Sequence, residues 1–404
     1  MVFVCGGGPA GVAAAITAAS NGSEVILAEK NGCLGGTLTS SLIGIILDEK
    51  NKTSGLIREI CDAIKTEITD FGVPVYEAEK YIFEQMCLKS GVKILYNTYI
   101  CDVKIENEKI IEITTVSKSG KKTYMPEVVI DATGDGDVAY MAGCEFEAGN
   151  NEGKTQPMSM VAVIAGINQD AVEHMISTPA KPFWESRNNF NGLLNKLGIH
   201  TSMGACANIT RIDQNLCYIS INHEYGYKFD NAEEISKAIA DARKEIYETV
   251  KALRIYGGAF KNISLVCTPE MIGVREGRRI KGFETVTIDD MINGTKRENG
   301  ICTVTYWVDI HSLTKSNGSK GFEGDNINVQ PYDIPMGALI PQKCKNLVLS
   351  GRNISGDFYA HASYRVAGNM IPVGQASGAI AHSIEKHGIS AQQVEFSMIK
   401  DMLI

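Results

Sequence analysis

The 404-residue chain carries 39 basic against 47 acidic residues, a net charge of −8, with 44% hydrophobic and 21% charged residues. That balance argues against a general nucleic-acid or anionic-membrane binder, and no apolar run approaches the ~18–20 residues of a membrane span. The 11 cysteines stand singly with no CxxC pair, which disfavours a disulfide framework, a zinc ribbon or a thioredoxin-like redox motif. The 40 glycines exceed the usual share of ~7%, so their placement is informative. Met1 leads straight into a strand, without the basic n-region and longer apolar stretch of a secretory signal, so the expected location is cytoplasmic.

Val2–Cys5 reads as a short buried strand, Val12–Ser20 as a small-residue helix stopped at Asn21-Gly22, and Glu24–Glu29 as the next strand. Glu79–Ser90 predicts a helix and Lys93–Tyr96 a third parallel strand. Residues 99–125 alternate apolar and polar with two hairpin signals, as an inserted antiparallel meander would. Glu127–Ala132 returns as a buried strand. Strand-like runs at Met158–Ala165, Gly204–Arg211 and Leu216–Asn222, followed by a long polar helix from Ala232 to Tyr256, predict a second unit on an antiparallel sheet. Asn346–Ser350 predicts the last strand, and Gly374–His387 a final helix capped by Gly388. The expected fold class is α/β. A discontinuous, Rossmann-like first domain spans 1–149, 263–283 and 336–404. A second α+β domain spans 150–262 and 284–335.

Gly6-x-Gly8-x-x-Gly11 lies between a strand and a helix. The first Gly permits the tight turn, the second lets a pyrophosphate approach the backbone, and the third lets helix and strand pack closely. The helix N-terminus offers free N–H groups to phosphate. Glu29 ends the second strand, where an acidic side chain can accept hydrogen bonds from a ribose. The pattern identifies a dinucleotide site and disfavours NADP, and it does not separate NAD from FAD.

Four segments carry a resemblance over nearly the whole chain: Gly6–Glu29; Gly32-Cys-Leu-Gly-Gly-Thr37; Val128–Asp137; and Asn346–Arg352 running on to Ala362–Val366 and Gly374–Gly378. In these the chain resembles the bacterial FAD-dependent oxidoreductases with the glutathione-reductase-type FAD-binding fold. The resemblance implies FAD as cofactor. It implies FAD contacts from Gly6, Gly8, Pro9, Ala10, Gly11, Glu29, Lys30, Cys33, Gly35, Gly36 and Thr37. It extends them to Ile100, Ala132, Thr133, Gly134, Asp135, Gly351, Arg352, Gly374, Gln375 and Gly378. The last helix is expected to open at Gly374 and to turn its N-terminus toward the flavin N1/O2 edge. Thr133–Ala139 also mimics a second dinucleotide turn, yet no further βαβ unit follows, so no separate NAD(P)H domain is expected. In the disulfide-reductase relatives two cysteines follow Gly-Gly-Thr. Here Leu38-Thr-Ser-Ser-Leu42 stands there, which argues against disulfide reduction of that type.

For the reaction itself, Arg275 and Arg278 could grip a carboxylate from one face if their segment is helical, or could pair with Glu276 and Glu284. His361 and Arg365 lie between the last strand and the last helix, as a proton carrier and a substrate anchor, or as packed residues. Asp309 and His311 form a further acid–base candidate. No metal-ligand motif occurs. These residues predict hydride transfer between flavin N5 and a small polar substrate, carboxylate-bearing in one version, bound between the domains. The reaction would be fumarate-reductase-like or dehydrogenase-like. The alternative is an electron-transfer subunit serving a partner protein.

Overall fold

The computed structural model describes residues 1–178, 182–315 and 327–403. In chain order it runs β1 (Val2–Cys5), α1 (Pro9–Ser20), β2 (Val25–Ala28), α2 (Leu56–Phe71), α3 (Val75–Lys89) and β3 (Lys93–Leu95). The meander β4 (Tyr99–Glu106), β5 (Lys109–Ser117) and β6 (Gly120–Tyr124) follows, then β7 (Val128–Asp131), α4 (Asp137–Met141) and β8 (Phe146–Glu147). The middle holds β9 (Val161–Ala165), β10 (Ile176–Ser177), α5 (Phe183–Lys196), β11 (Asn208–Arg211), β12 (Leu216–Ser220), α6 (Ala232–Tyr256) and β13 (Ser264–Cys267). The chain closes with β14 (Arg279–Ile280), α7 (Ile288–Asn293), β15 (Gly300–Val304), β16 (Tyr332–Pro335), β17 (Leu347–Leu349), α8 (Phe358–Tyr364) and α9 (Ala367–His387), followed by a short helix, Phe396–Ile399.

The central sheet is parallel, in the order β17-β7-β1-β2-β3. β1, β2 and β7 are buried along their whole length, as continuous apolar runs between helical layers must be. The meander joins β3 to β7 as a separate antiparallel sheet. A second sheet, β10-β11-β12-β9-β13, is antiparallel except for the β10–β11 pair. α6 covers it through Ala238, Ala242, Ile246, Val250 and Leu253, a helical-period stripe. Asn231 caps that helix, its side chain accepting from the N–H groups of Glu233 and Glu234.

Three expectations change. The two hydrophobic cores divide the chain differently from the expected boundaries. Val286, Met291, Ile301, Val304, Tyr332 and Ile334 belong to the first core, because the β15–β16 hairpin lays its apolar side toward α9. Conversely Ile263 and Ile272 belong to the second, because β13 pairs with β9 at the edge of that sheet. The amphipathic helix α2 has no counterpart in the sequence expectation, and α3 begins four residues early, behind Pro74.

The last long helix starts at Ala367 instead of Gly374. Gly368 and Pro372 oppose helix in isolation. Close packing on α1 overrides them. A Cβ on Gly374 would stand 2.1 Å from the Ala10 carbonyl oxygen, and one on Gly378 2.3 Å from that of Ala14. Both glycines are therefore mid-helix packing residues.

Candidate active site

The β1–α1 turn follows the expected division of labour among its glycines. Gly6 has φ +107°, and a Cβ there would lie 2.4 Å from the Ala132 carbonyl oxygen. At Gly11 it would lie 2.0 Å from the carbonyl oxygen of Gly6. At Gly8 it would meet nothing within 4 Å and would project into a cavity of about 720 Å³ that runs along the carboxyl ends of the parallel strands. Gly36, with φ +52°, closes the other wall against Gly8.

Glu29 sits buried at one end of this cavity. One carboxylate oxygen accepts the Gly7 N–H at 2.6 Å, and the other accepts the backbone and side-chain N–H groups of Asn31 at 2.8 and 2.7 Å. The carboxylate thus fixes the glycine turn while it faces the cavity. Lys30, Ile100 and Thr98 line the same end, and Pro9, Ala10, Thr37 and Ala132–Asp135 line the middle. Arg352 and Asp135, paired at 2.7 Å, join the end of β17 to the turn after β7 beneath Gly351.

Several expected contacts lie elsewhere. Gly11 serves helix–strand packing. Gly35 donates its N–H to the Gly7 carbonyl and packs on Thr39. The Cys33 thiol rests against the Ser40 and Thr39 hydroxyls at 3.4 and 3.7 Å and does not line the cavity. Gln375 donates to the Met402 carbonyl, on the far side of α9 from Gly374 and Gly378. At the N-terminus of α9 it is Ala367 and Met370 that face the cavity. Sequence reasoning missed these two, together with Thr98, Ser350 and Met271, because single apolar or hydroxyl residues outside a motif carry no signal.

The arginines separate. Residues 268–278 are not helical, so Arg275 and Arg278 do not share a face. Arg278 donates to Asp137, to the Asp135 carbonyl and to Asp230, and stacks 4.3 Å from the centre of the Tyr140 ring. It is a clamp between the two cores, on the cavity wall. Arg279 pairs with buried Glu276 at 2.6 Å, and Glu284 pairs with Arg297. His361 is fully buried on Tyr364, off the cavity, and burial with the charges of Arg279, Arg365 and Arg352 holds its imidazole neutral.

The inner end of the cavity is different. Arg365 lines it and donates to the Asp309 carbonyl at 2.7 Å and carboxylate at 3.4 Å, to Gln156 Oε1 at 3.3 Å and to the Arg275 carbonyl at 3.5 Å. Arg275 reaches the Pro157 carbonyl and the Ser159 hydroxyl at 2.7 and 2.8 Å. Burial and the neighbouring Arg365 push the Arg275 guanidinium down to about 10. His311 Nε2 lies 3.3 Å from Asp309, and its Nδ1 lies 3.0 Å from Nε2 of His223. His223 Nδ1 in turn lies 3.1 Å from the Tyr225 hydroxyl. Burial and Arg275 push His311 down to about 4, whereas against the pull of burial His311, Arg365 and Arg275 hold Asp309 well below the usual carboxylate range.

Residues 2–403 match the family model described as FAD dependent oxidoreductase. The chain belongs to this family. No curated protein matches this FAD-dependent oxidoreductase. Among solved structures, CabE, an aromatic hydroxylase from angucycline biosynthesis, superposes with TM-score 0.50 at 12% identity, over 99% of this chain and 64% of that one. The flavin-dependent brominase Bmp2 gives 0.49 at 13% identity, over 99% and 82%. The chain spans less than two thirds of the length of CabE, and at such identities the likeness to CabE speaks to fold.

The residues present fit FAD. A long cavity passes the open face of Gly8, an acidic side chain sits at one end, and the N-terminus of a 21-residue helix meets the other. Among the described residues no helix is long and apolar enough to cross a membrane, no cluster of His, Cys, Asp or Glu could hold a metal ion, and all eleven cysteines are free.

Proposed function

We propose that this FAD-dependent oxidoreductase transfers a hydride between its flavin and a small, oxygen-rich, anionic substrate held between the two cores. One observation carries the anionic preference. Arg275 and Arg365 lie side by side at the inner end of the cavity, and Asp309 is the carboxylate within reach of both. Two guanidiniums against one carboxylate leave a surplus positive charge, and a substrate carboxylate would offset it.

FAD supplies a two-electron acceptor or donor. The chain's own groups do the rest. Gly6–Gly11, Glu29, Gly36 and Ala132–Asp135 would hold the cofactor's long axis, and Arg352 and Ala367 would bound its reactive end. Arg365, fixed by Asp309 and Gln156, would orient the substrate, Arg275 would share that grip, and Asp309–His311 would carry the proton. The absence of cysteines after Gly-Gly-Thr37 agrees with a substrate that is not a disulfide.

The test is anaerobic bleaching of the bound flavin, or its reoxidation after chemical reduction, against a panel of hydroxy acids, unsaturated acids, sugars and sugar acids. Arg275→Ala and Arg365→Ala are expected to weaken the best substrate about 10- to 100-fold each, the worth of a charge-assisted hydrogen bond. Unchanged affinity in both variants would remove the anion-anchor assignment. A flavin that no panel member bleaches or reoxidises, but that a protein partner does, would favour the electron-transfer alternative.

A further inference from the structure

The contacts at the inner site form one continuous chain: Arg365, Asp309, His311, His223, Tyr225. Its polarity follows from geometry. Asp309 lies between His311, Arg365 and Arg275, so it is ionised and can only accept. His311 Nε2 must then carry the hydrogen it shares with Asp309. In a neutral ring that leaves His311 Nδ1 as an acceptor, and the hydrogen in the 3.0 Å contact comes from His223 Nε2. His223 Nδ1 is in turn an acceptor, and the Tyr225 hydroxyl must donate to it at 3.1 Å in preference to the Ser202 carbonyl at 3.3 Å. The two imidazoles stay neutral because both are buried beside Arg275.

All three hydrogens therefore point the same way, from Tyr225 toward Asp309. Tyr225 is half-buried, and its hydroxyl is close enough to interact with Arg275. The chain thus curves round Arg275, with its accepting end closed by Arg365 and its phenol end beside the guanidinium assigned to the substrate.

We propose that the Tyr225 hydroxyl is the catalytic base for a substrate hydroxyl, and that His223, His311 and Asp309 are the positioning residues that take up its proton. This rests on the hydride-transfer reading and narrows it to oxidation of a hydroxy acid. The carbinol carbon loses its hydrogen and two electrons as hydride to the enzyme's FAD while its O–H bond breaks and a C=O bond forms. The hydroxyl proton passes to the Tyr225 oxygen. Tyr225 passes its own proton to His223 Nδ1, His223 Nε2 passes one to His311 Nδ1, and His311 Nε2 passes one to Asp309. Each donor loses one hydrogen and each acceptor gains one, and no further reactant is needed.

The experiment has two arms. In the first, ¹⁵N-histidine NMR of the holoenzyme without substrate reads the tautomers, with signals assigned by their loss in His223→Asn and His311→Asn. Both rings are expected to be neutral and protonated on Nε2 near pH 7. Protonation of either ring on Nδ1 there, or an imidazolium, overturns the relay. In the second, stopped-flow bleaching by the best hydroxy-acid substrate is compared for wild type and Tyr225→Phe. Loss of the base is expected to slow the limiting rate about 100-fold or more and to abolish the solvent deuterium effect, with substrate affinity and the flavin spectrum unchanged. A wild-type rate in Tyr225→Phe overturns the proposal. Failure of every hydroxy acid to bleach the wild-type flavin would refute the substrate reading, and with it Tyr225 as base, while the tautomer arm decides the hydrogen-bond chain by itself.

Discussion

Glu79 on α3 gives a stability prediction with a definite sign. Its side chain is fully buried, and neither carboxyl oxygen has a hydrogen-bond partner among the described residues. Burial pushes its carboxyl up to about 8 from an ordinary 4.5. At neutral pH the folded protein therefore holds Glu79 protonated, while the unfolded chain ionises it. Stability is greatest below about pH 4.5, falls as pH rises toward 8, and levels off once the folded carboxyl also ionises. By pH 7 the loss amounts to about 3 kcal/mol, at about 1.36 kcal/mol per pH unit. Glu79→Gln keeps the shape and removes the ionisation, so it should recover that amount. With an unfolding entropy of roughly 2.1 cal/mol/K per residue, the gain is about 3–4 °C in Tm near pH 7, shrinking to nothing near pH 4. Thermal unfolding of both proteins across that pH range checks it. A Tm difference that does not vary with pH, or a variant less stable than wild type at pH 8, would refute the reasoning, because a carboxylate charged in the folded state gains nothing from neutralisation.

Other outcomes follow from the same geometry. Glu29→Gln replaces an acceptor of three N–H groups by an amide that cannot accept all three, so FAD affinity, read by flavin fluorescence, should fall by about 10- to 100-fold. An unchanged affinity would place the ribose elsewhere. Gly374→Ala puts a methyl 2.1 Å from a backbone carbonyl of α1, an overpacking cost of about 1–3 kcal/mol or more that exceeds the ~1 kcal/mol gain in helix propensity. Its Tm should fall, and a raised Tm would show that α9 does not press on α1 there. Cys33→Ser should leave the flavin's absorbance and reduction potential near wild type, since the thiol faces Ser40 and Thr39. A large shift in potential would bring Cys33 back to the flavin.

The sequence by itself determined the nucleotide-binding half. Gly6, Gly8, Gly11 and Glu29 act through backbone space and one local turn, so their spacing along the chain nearly equals their spacing in the fold. The same holds for α6, whose polar surface stripe and Asn231 cap are local, and for the buried parallel strands, whose apolar runs need no partner to be read. The missing cysteine pair after Thr37 was likewise visible as an absence in one segment. What only the tertiary structure decided is long-range. Gly374 and Gly378 looked like the opening of a helix because Gly and Pro are weak helix formers, and contact with α1 reversed that. His361, promising by position, proved sealed off, whereas His223 and Tyr225 carried no motif and became notable only beside His311. Arg275 and Arg278, three residues apart, diverged because their segment is extended. Motif glycines are chosen by the backbone next to them, but acid–base side chains are chosen by neighbours 88 residues away, as His223 is for His311. A periodic or spaced signal cannot encode such a pair, so the cofactor was legible in the sequence and the chemistry beside it was not.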